Sequence, residues 1–258
     1  MDSNKKTRWI IVVAALGYFV DIYDLILFGI VRLPSLHDLG VADADIQNKS
    51  ILLLNMQMAG MLIGGIIFGV LGDIRGRVAV LFGSILLYSL ANIANGLVQD
   101  IPSYAVIRFL AGLGLAGELG AGITLVSETM EKEKRGYGTM LVVFFGALGA
   151  VVAALVADKF DWRVSYFVGG GLGLLLLLMR VGAMESGMFK NLSKSGQKAA
   201  VFLNLMTKPK LFYSYLRCIL IGVPVWYVVG ILIVFSPEFA EVLGVSGHVK
   251  GSQAIIWS

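Results

Sequence analysis

Four ionisable side chains lie inside long apolar stretches of this sequence. Asp21 and Asp24 fall within Trp9–Val31, spaced i,i+3 and therefore on one face of a helix. Arg108 and Glu118 fall within Ser103–Val126. An ionisable group at membrane depth is costly and normally faces a bundle interior or a water-filled cavity. Desolvation and a nearby guanidinium pull a buried carboxyl group in opposite senses, so its proton affinity depends on the partner it faces. A proton-coupled carrier needs that property. On this reasoning Asp24 is the leading coupling carboxyl, with Asp21 and then Glu118 behind it. The plainer reading is a buried ion pair that only orients helices. Asn55 and Gln57 could hydrogen-bond a substrate, although bonding between helices is the commoner use of membrane amides. Trp226 and Tyr227 are weaker substrate candidates, equally readable as interface anchors or packing. The sequence holds no metal-ligand cluster, nucleophile elbow or phosphate loop, so neither a metal nor a cofactor is expected and no enzymatic reaction is indicated.

The elements that must position these groups follow from composition. The 258 residues are 57% hydrophobic and 15% charged, with a mean hydropathy of +0.83. A soluble domain carries roughly 25% charged residues. The apolar residues arrive in blocks of about twenty, the length a helix needs to cross a hydrocarbon core. Helices are the expected spanning element because lipid offers no partner to a free backbone N–H or C=O. Seven spans are predicted: Trp9–Val31, Ile51–Leu71, Val78–Val98, Ser103–Val126, Thr139–Ala157, Val164–Val181 and Phe212–Phe235, with an eighth beginning near Ser252. The fold class is therefore all-α, a polytopic membrane helix bundle. The net charge of +4 could suggest nucleic acid. Here the basic residues fall between apolar blocks, so the expected partner is a lipid bilayer and not nucleic acid. Cys218 stands alone, which excludes an intramolecular disulfide.

Lys and Arg set the orientation. With the N-terminus in the cytoplasm, that side holds Lys5, Lys6, Arg8, Arg75, Arg77, Lys132, Lys134, Arg135, Arg180, Lys190, Lys194, Lys198, Lys208 and Lys210. The other side holds only Arg32, Lys49, Lys159, Arg163 and Lys250, and Arg108 and Arg217 remain inside spans. The first apolar run is too long for a signal peptide and contains two aspartates, so it stays as a span. Residues 185–210 carry five lysines and read as a cytoplasmic linker. Three regions result: a six-helix bundle over 1–184, the basic linker over 185–210, and the start of a second bundle over 211–258.

The turn between the second and third spans reads Gly69-Val70-Leu71-Gly72-Asp73-Ile74-Arg75-Gly76-Arg77. Taken alone it is a short basic turn that uses glycine for backbone freedom. It resembles the Gly-x-Leu-x-Asp-x-x-Gly-Arg signature of the major facilitator superfamily, departing from it at Ile74, where a basic residue is usual. The fourth span, Arg108 followed by Gly112, Gly114, Gly117 and Gly120, is similar to that family's arginine-and-glycine motif. Its run Gly117-Glu118-Leu119-Gly120 resembles the metabolite:proton symporter branch. Glu128 and Arg135-Gly136 resemble the Glu…Arg-Gly element of that branch and of sugar porters. By resemblance, Gly69, Asp73, Gly76, Arg77, Glu128 and Arg135 belong to a cytoplasmic gating network; a solvated surface pair is the plainer reading of Glu128 and Arg135. Asp21 and Asp24 resemble the Asp-x-x-Asp of aromatic-acid and related proton symporters. Sugar porters likewise place a first-helix aspartate near the fourth-helix arginine. The fifth span lacks the Gly-Pro pair of antiporters in this superfamily, which leans towards symport.

The resemblance covers essentially the whole chain. It implies twelve helices in two six-helix bundles with substrate bound between them, so the chain reads as an N-terminal portion. The expected function is secondary active transport, a proton-coupled symport of a small organic metabolite by alternating access, in the plasma or inner membrane. The expected partners are a small-molecule substrate, protons and lipid. The alternative is a non-transporting half-transporter that acts as a membrane scaffold or assembly partner. Either reading leaves open a second chain supplying the missing bundle. The resemblance also points the glycine faces of the second and fifth spans, at Gly65 and Gly149, towards that bundle.

Overall fold

Apolar runs long enough to cross a bilayer become helices wherever glycine, proline or aspartate does not interrupt them. The computed structural model describes the backbone of residues 3–75, 77–129, 135–185, 207–245 and 251–257. It describes the side chains of 12–72, 74–75, 79–118, 136–181, 207–245, 252–253 and 255–256. Six long helices come first: α1 (Ser3–Asp38), α2 (Asp43–Arg75), α3 (Arg77–Asn95), α4 (Ile101–Thr129), α5 (Arg135–Lys159) and α6 (Trp162–Glu185). After the linker come α7 (Pro209–Tyr227), a π-helical continuation over Val228–Ile233, and two short helices, α8 (Ser236–Val242) and α9 (Gly251–Trp257). Each of the seven expected spans coincides with a helix, the third running on past Asn95 and the seventh past Ile233, and no strand occurs among the described residues. Among the described residues five helices are long and apolar enough to cross a membrane: Val12–Asp38, Asp43–Gly72, Gly136–Lys159, Trp162–Val181 and Pro209–Ile233; α3 adds a shorter apolar stretch, Ala79–Asn95.

The helix ends are locally encoded. Gly40 takes a positive φ of 72° after α1, letting Val41 N–H reach the Leu36 carbonyl and Gly40 N–H the His37 carbonyl. This closes off the last turn as a left-handed glycine cap does. Asp100 caps α4, its carboxylate accepting from the Ser103 N–H at 2.8 Å and the Ser103 hydroxyl at 2.9 Å. Those two donors hold the exposed Asp100 carboxyl below the usual aspartate range. Asp161 does the same for α6 through the Arg163 N–H at 3.1 Å. The Arg163 guanidinium then donates to the Gly96 and Val98 carbonyls and to Asp38, gathering the ends of α1, α3 and α6 at one edge of the bundle.

Packing is directed by where backbones approach. α2 packs on α4, α4 on α3, α3 on α6, α6 on α1 and α1 on α5, while α1 also meets α4 across the middle. A methyl at Gly112 would overlap the Gln57 carbonyl, and one at Gly60 the Phe109 carbonyl, so α2 and α4 touch backbone to backbone. Gly149 does not face outward as the resemblance suggested: a methyl there would strike the Phe19 carbonyl, because this glycine lets α5 approach α1. Gly65 has open space around it. Tyr23, Phe28, Tyr104, Trp162 and Tyr166 anchor the largest core cluster. The apolar residues left over face outward, as Leu62 (70% exposed) does on α2 and Ile221 (77%) on α7. α7 buries no side chain.

Candidate functional site

Gly17, Asp21, Asp24, Phe28 and Arg32 recur at intervals of three or four and form one inward stripe of α1. All five are buried. With a rise of about 1.5 Å per residue, Asp21 and Asp24 differ in height by roughly 4–5 Å, and Arg108 and Glu118 on α4 by roughly 15 Å. The stripe therefore meets two separate layers of polar groups.

The first layer surrounds Arg108. Its guanidinium donates to the Gln57 side-chain carbonyl and lies over the Phe28 ring at 4.3 Å and the Tyr166 ring at 5.8 Å. Asp24 faces the Arg108 charge and the Asn92 amide of α3. Neither carboxylate oxygen of Asp24 has a hydrogen-bond partner among the described residues, and neither do Arg108 Nε and Nη1 or the Asn92 amide atoms. Arg108 and Asp24 thus share a layer without a direct ion pair. Tyr166 and Tyr104 join hydroxyls at 2.7 Å, and Tyr104 continues to Ser35 at 3.3 Å, so an aromatic wall separates Arg108 from one end of the bundle.

The second layer holds Glu118 and Arg180. The Arg180 guanidinium grips both Glu118 oxygens in a bidentate pair, one bond measuring 2.7 Å. Both side chains are buried. Gly17 packs directly against this pair and leaves no room for a side chain. Asp21 faces Glu118 and Arg180, and Tyr88 of α3 faces all three; Asp21 Oδ1 and the Tyr88 hydroxyl have no hydrogen-bond partner among the described residues.

The remaining sequence-derived candidates separate. Gln57 joins the Arg108 layer, whereas Asn55 is exposed on another face of α2. Trp226 and Tyr227 are exposed at the end of α7, away from both layers. Gly69 is exposed with no neighbour within 4 Å of a Cβ placed there. The gating candidates Asp73, Gly76, Arg77, Glu128 and Arg135 lie outside the described side chains, and most of the 185–210 linker lies outside the described backbone. Among the described residues no group of three His, Cys, Asp or Glu is placed to hold a metal.

Several buried polar groups escaped the sequence reading. Arg180 was counted as a cytoplasmic loop charge; its place just inside the sixth apolar run was the available signal. Tyr88, Ser89, Asn92 and Asn95 are buried polar residues of α3, a signal visible as polar residues recurring in an apolar helix. Arg32 was counted as an external charge, yet it is buried and donates to the Ser50 hydroxyl, the Val234 carbonyl and Glu238, the last at 2.5 Å. It also lies 4.4 Å from the Phe235 ring. This knot ties α1 and α2 to the segment that follows α7.

Comparison with known proteins gives a family. The sequence profile of the Major Facilitator Superfamily matches residues 14–257. A sialic acid transporter of Escherichia coli is 28% identical over 236 residues, covering 89% of this chain and 57% of that protein. A niacin transporter of Acinetobacter baylyi is 32% identical over 162 residues, covering 61% of this chain and 36% of that protein. The chain thus spans between about a third and somewhat over half the length of these relatives. Both are named as transporters, which does not favour the scaffold reading. The crystal structure of a D-xylose–proton symporter matches with a TM-score of 0.66 at 18% identity, over 96% of this chain and 65% of that one, and so shares the fold.

Proposed function

Because this chain belongs to the major facilitator superfamily, a family of transporters rather than enzymes, we propose that the protein is a multi-pass secondary carrier that moves a small organic acid together with protons by alternating access. Its N-terminus lies in the cytoplasm, as the Lys and Arg asymmetry of the loops favours. The observation that carries this reading is the pair of buried polar layers on α1, α3, α4 and α6. They hold carboxyl and guanidinium groups with unpartnered atoms at a depth where each such group is costly. A carrier needs buried charged groups whose partners change during its cycle, and these layers place such groups on four different helices.

The substrate class follows from Arg108. Its planar donors match a carboxylate, and the aromatic rings of Phe28 and Tyr166 flank it. Sialic acid and niacin, named for the two relatives, are both carboxylic acids. Asp24 and Arg108 serve in this reading as the substrate-responsive layer, with Gln57 and Asn92 beside them.

The test is uptake into proteoliposomes by the product of the complete reading frame, under an imposed inward proton gradient. Nicotinate and benzoate are the probes and their amides the controls. Accumulation of a carboxylate, its absence for the amide, and collapse on adding a protonophore are expected. Accumulation indifferent to the proton gradient would refute symport, and equal uptake of acid and amide would refute the substrate class.

A further inference from the structure

Among the described residues the Arg108 guanidinium donates to a single side chain, the neutral Gln57, through Nη2. Nη2 belongs to both edges by which a guanidinium grips a carboxylate with two parallel bonds, Nε–Nη2 and Nη1–Nη2. It carries two hydrogens, one directed to each edge, so it can hold Gln57 on one edge and still serve the other. Gln57 therefore selects the edge offered to a ligand. Its carbonyl steadies the guanidinium without cancelling the positive charge. A carboxylate on the same side chain would grip that edge with both oxygens and cancel the charge. We infer that Gln57 is the positioning residue that sets the charge selectivity of the Arg108 site, its neutral carbonyl leaving the guanidinium open to an anionic carboxylate and of little use to the matching amide. This inference rests on the carboxylate reading of the substrate given above.

The packing explains why Gln57 in particular can do this. Its backbone carbonyl fills the space a methyl at Gly112 would need, and the Phe109 carbonyl does the same at Gly60. These two contacts fix α2 against α4 on the turns next to Arg108. With the backbone fixed, the Gln57 side chain bridges from α2 to the guanidinium. The guanidinium also lies over the Phe28 ring, with the Tyr166 ring nearby, and both rings belong to the largest core cluster. Those rings are held by their packing, whereas Gln57 can change rotamer without moving a helix. An arriving carboxylate therefore meets Gln57 as the contact that yields. Asp24, Tyr104 and Tyr166 also face the guanidinium, and the side chains of α1, α2, α3, α4 and α6 at this level are all among those described. Asp24 is not hydrogen-bonded to Arg108 and is the same in every variant compared below, so its charge does not decide between them.

The experiment measures equilibrium binding of radiolabelled nicotinate and benzoate, with their amides as competitors, to the purified product of the complete reading frame in detergent. Wild type, Gln57→Met and Gln57→Glu are compared. No proton gradient is involved, so the result is independent of symport. The wild type should prefer acid to amide. Gln57→Met keeps the side-chain length and removes the carbonyl. Affinity for the acids should fall about tenfold, the worth of one hydrogen bond to a charged group, while the preference for acid over amide survives. Gln57→Glu should abolish that preference, and its unfolding midpoint should match or exceed that of the wild type because the new carboxylate pairs with Arg108. Wild-type affinity in Gln57→Met, or a surviving acid preference in Gln57→Glu, overturns the assignment of Gln57 alone. If Gln57→Glu fails to insert, Gln57→Met decides: weaker binding with the preference kept supports the assignment, and unchanged binding or a lost preference overturns it. A wild type that binds acid and amide alike, or neither, overturns the proposed substrate class and this inference with it.

Discussion

The Glu118–Arg180 pair allows a stability prediction in which two apparently equivalent substitutions differ. Arg180→Gln leaves Glu118 and Asp21 buried together without a cation. Removing one partner of a buried ion pair costs about 3–5 kcal/mol. Glu118→Gln leaves Arg180 buried, but Asp21 stands beside it and can supply the missing charge. The cost then falls towards that of the lost charge-assisted hydrogen bonds, about 1.5–3 kcal/mol. Adding Asp21→Asn to Glu118→Gln removes the substitute and should restore the full penalty, a strong non-additivity of the kind expected for groups in one network. At roughly 2–4 °C per kcal/mol for a chain of this size, Arg180→Gln should lower the unfolding midpoint by about 10 °C and Glu118→Gln by about half as much. Thermal unfolding in detergent, followed by the intrinsic fluorescence of the four tryptophans, measures this. Equal losses for Arg180→Gln and Glu118→Gln, together with simple additivity in the double variant, would show that Asp21 does not answer Arg180.

Two further outcomes follow from the packing. Gly112→Ala forces a methyl against the Gln57 carbonyl, so it should destabilise by about 1–3 kcal/mol in the same thermal scan, whereas Gly65→Ala, in open space, should be neutral or slightly stabilising. The Arg32–Glu238 contact pins Val234 against Gly29. In a Cys218→Ser background, Val234→Cys should therefore react several-fold faster with a maleimide once Glu238→Ala is added, and unchanged rates would show that this contact does not hold the segment in place.

What could be read from the sequence, and what could not, divides along a physical line. The spans were legible because a bilayer imposes a length of about twenty apolar residues on each helix, and Trp9–Val31 or Thr139–Ala157 satisfy that rule without any tertiary knowledge. Placing Asp21 and Asp24 on one face needed only helical periodicity. Arg180 and Arg32 were misread because the rule that assigns arginines near span ends to a membrane surface uses position along the chain alone, and both sit near a span end. Their burial depends on what neighbouring helices offer: Glu118 on α4 for Arg180, and Ser50, the Val234 carbonyl and Glu238 for Arg32. Gly149 was misread for the converse reason. A small residue announces close approach but not the approaching helix, and here the partner is Phe19 of α1.

Gly17 shows how far this reasoning extends. It bears no functional group and is one of 32 glycines, so nothing in the sequence sets it apart. Yet any side chain at that position would occupy the space held by the Glu118 carboxylate and the Arg180 guanidinium. Larger residues would push α1 away from α4 and α6 and carry Asp21, one turn further along, out of the layer it shares with the pair. The electrostatics of the carboxyl therefore depend on a residue that has no electrostatics of its own. The chemistry of this bundle is set as much by the positions left empty on α1 as by the charged groups that fill the space opposite.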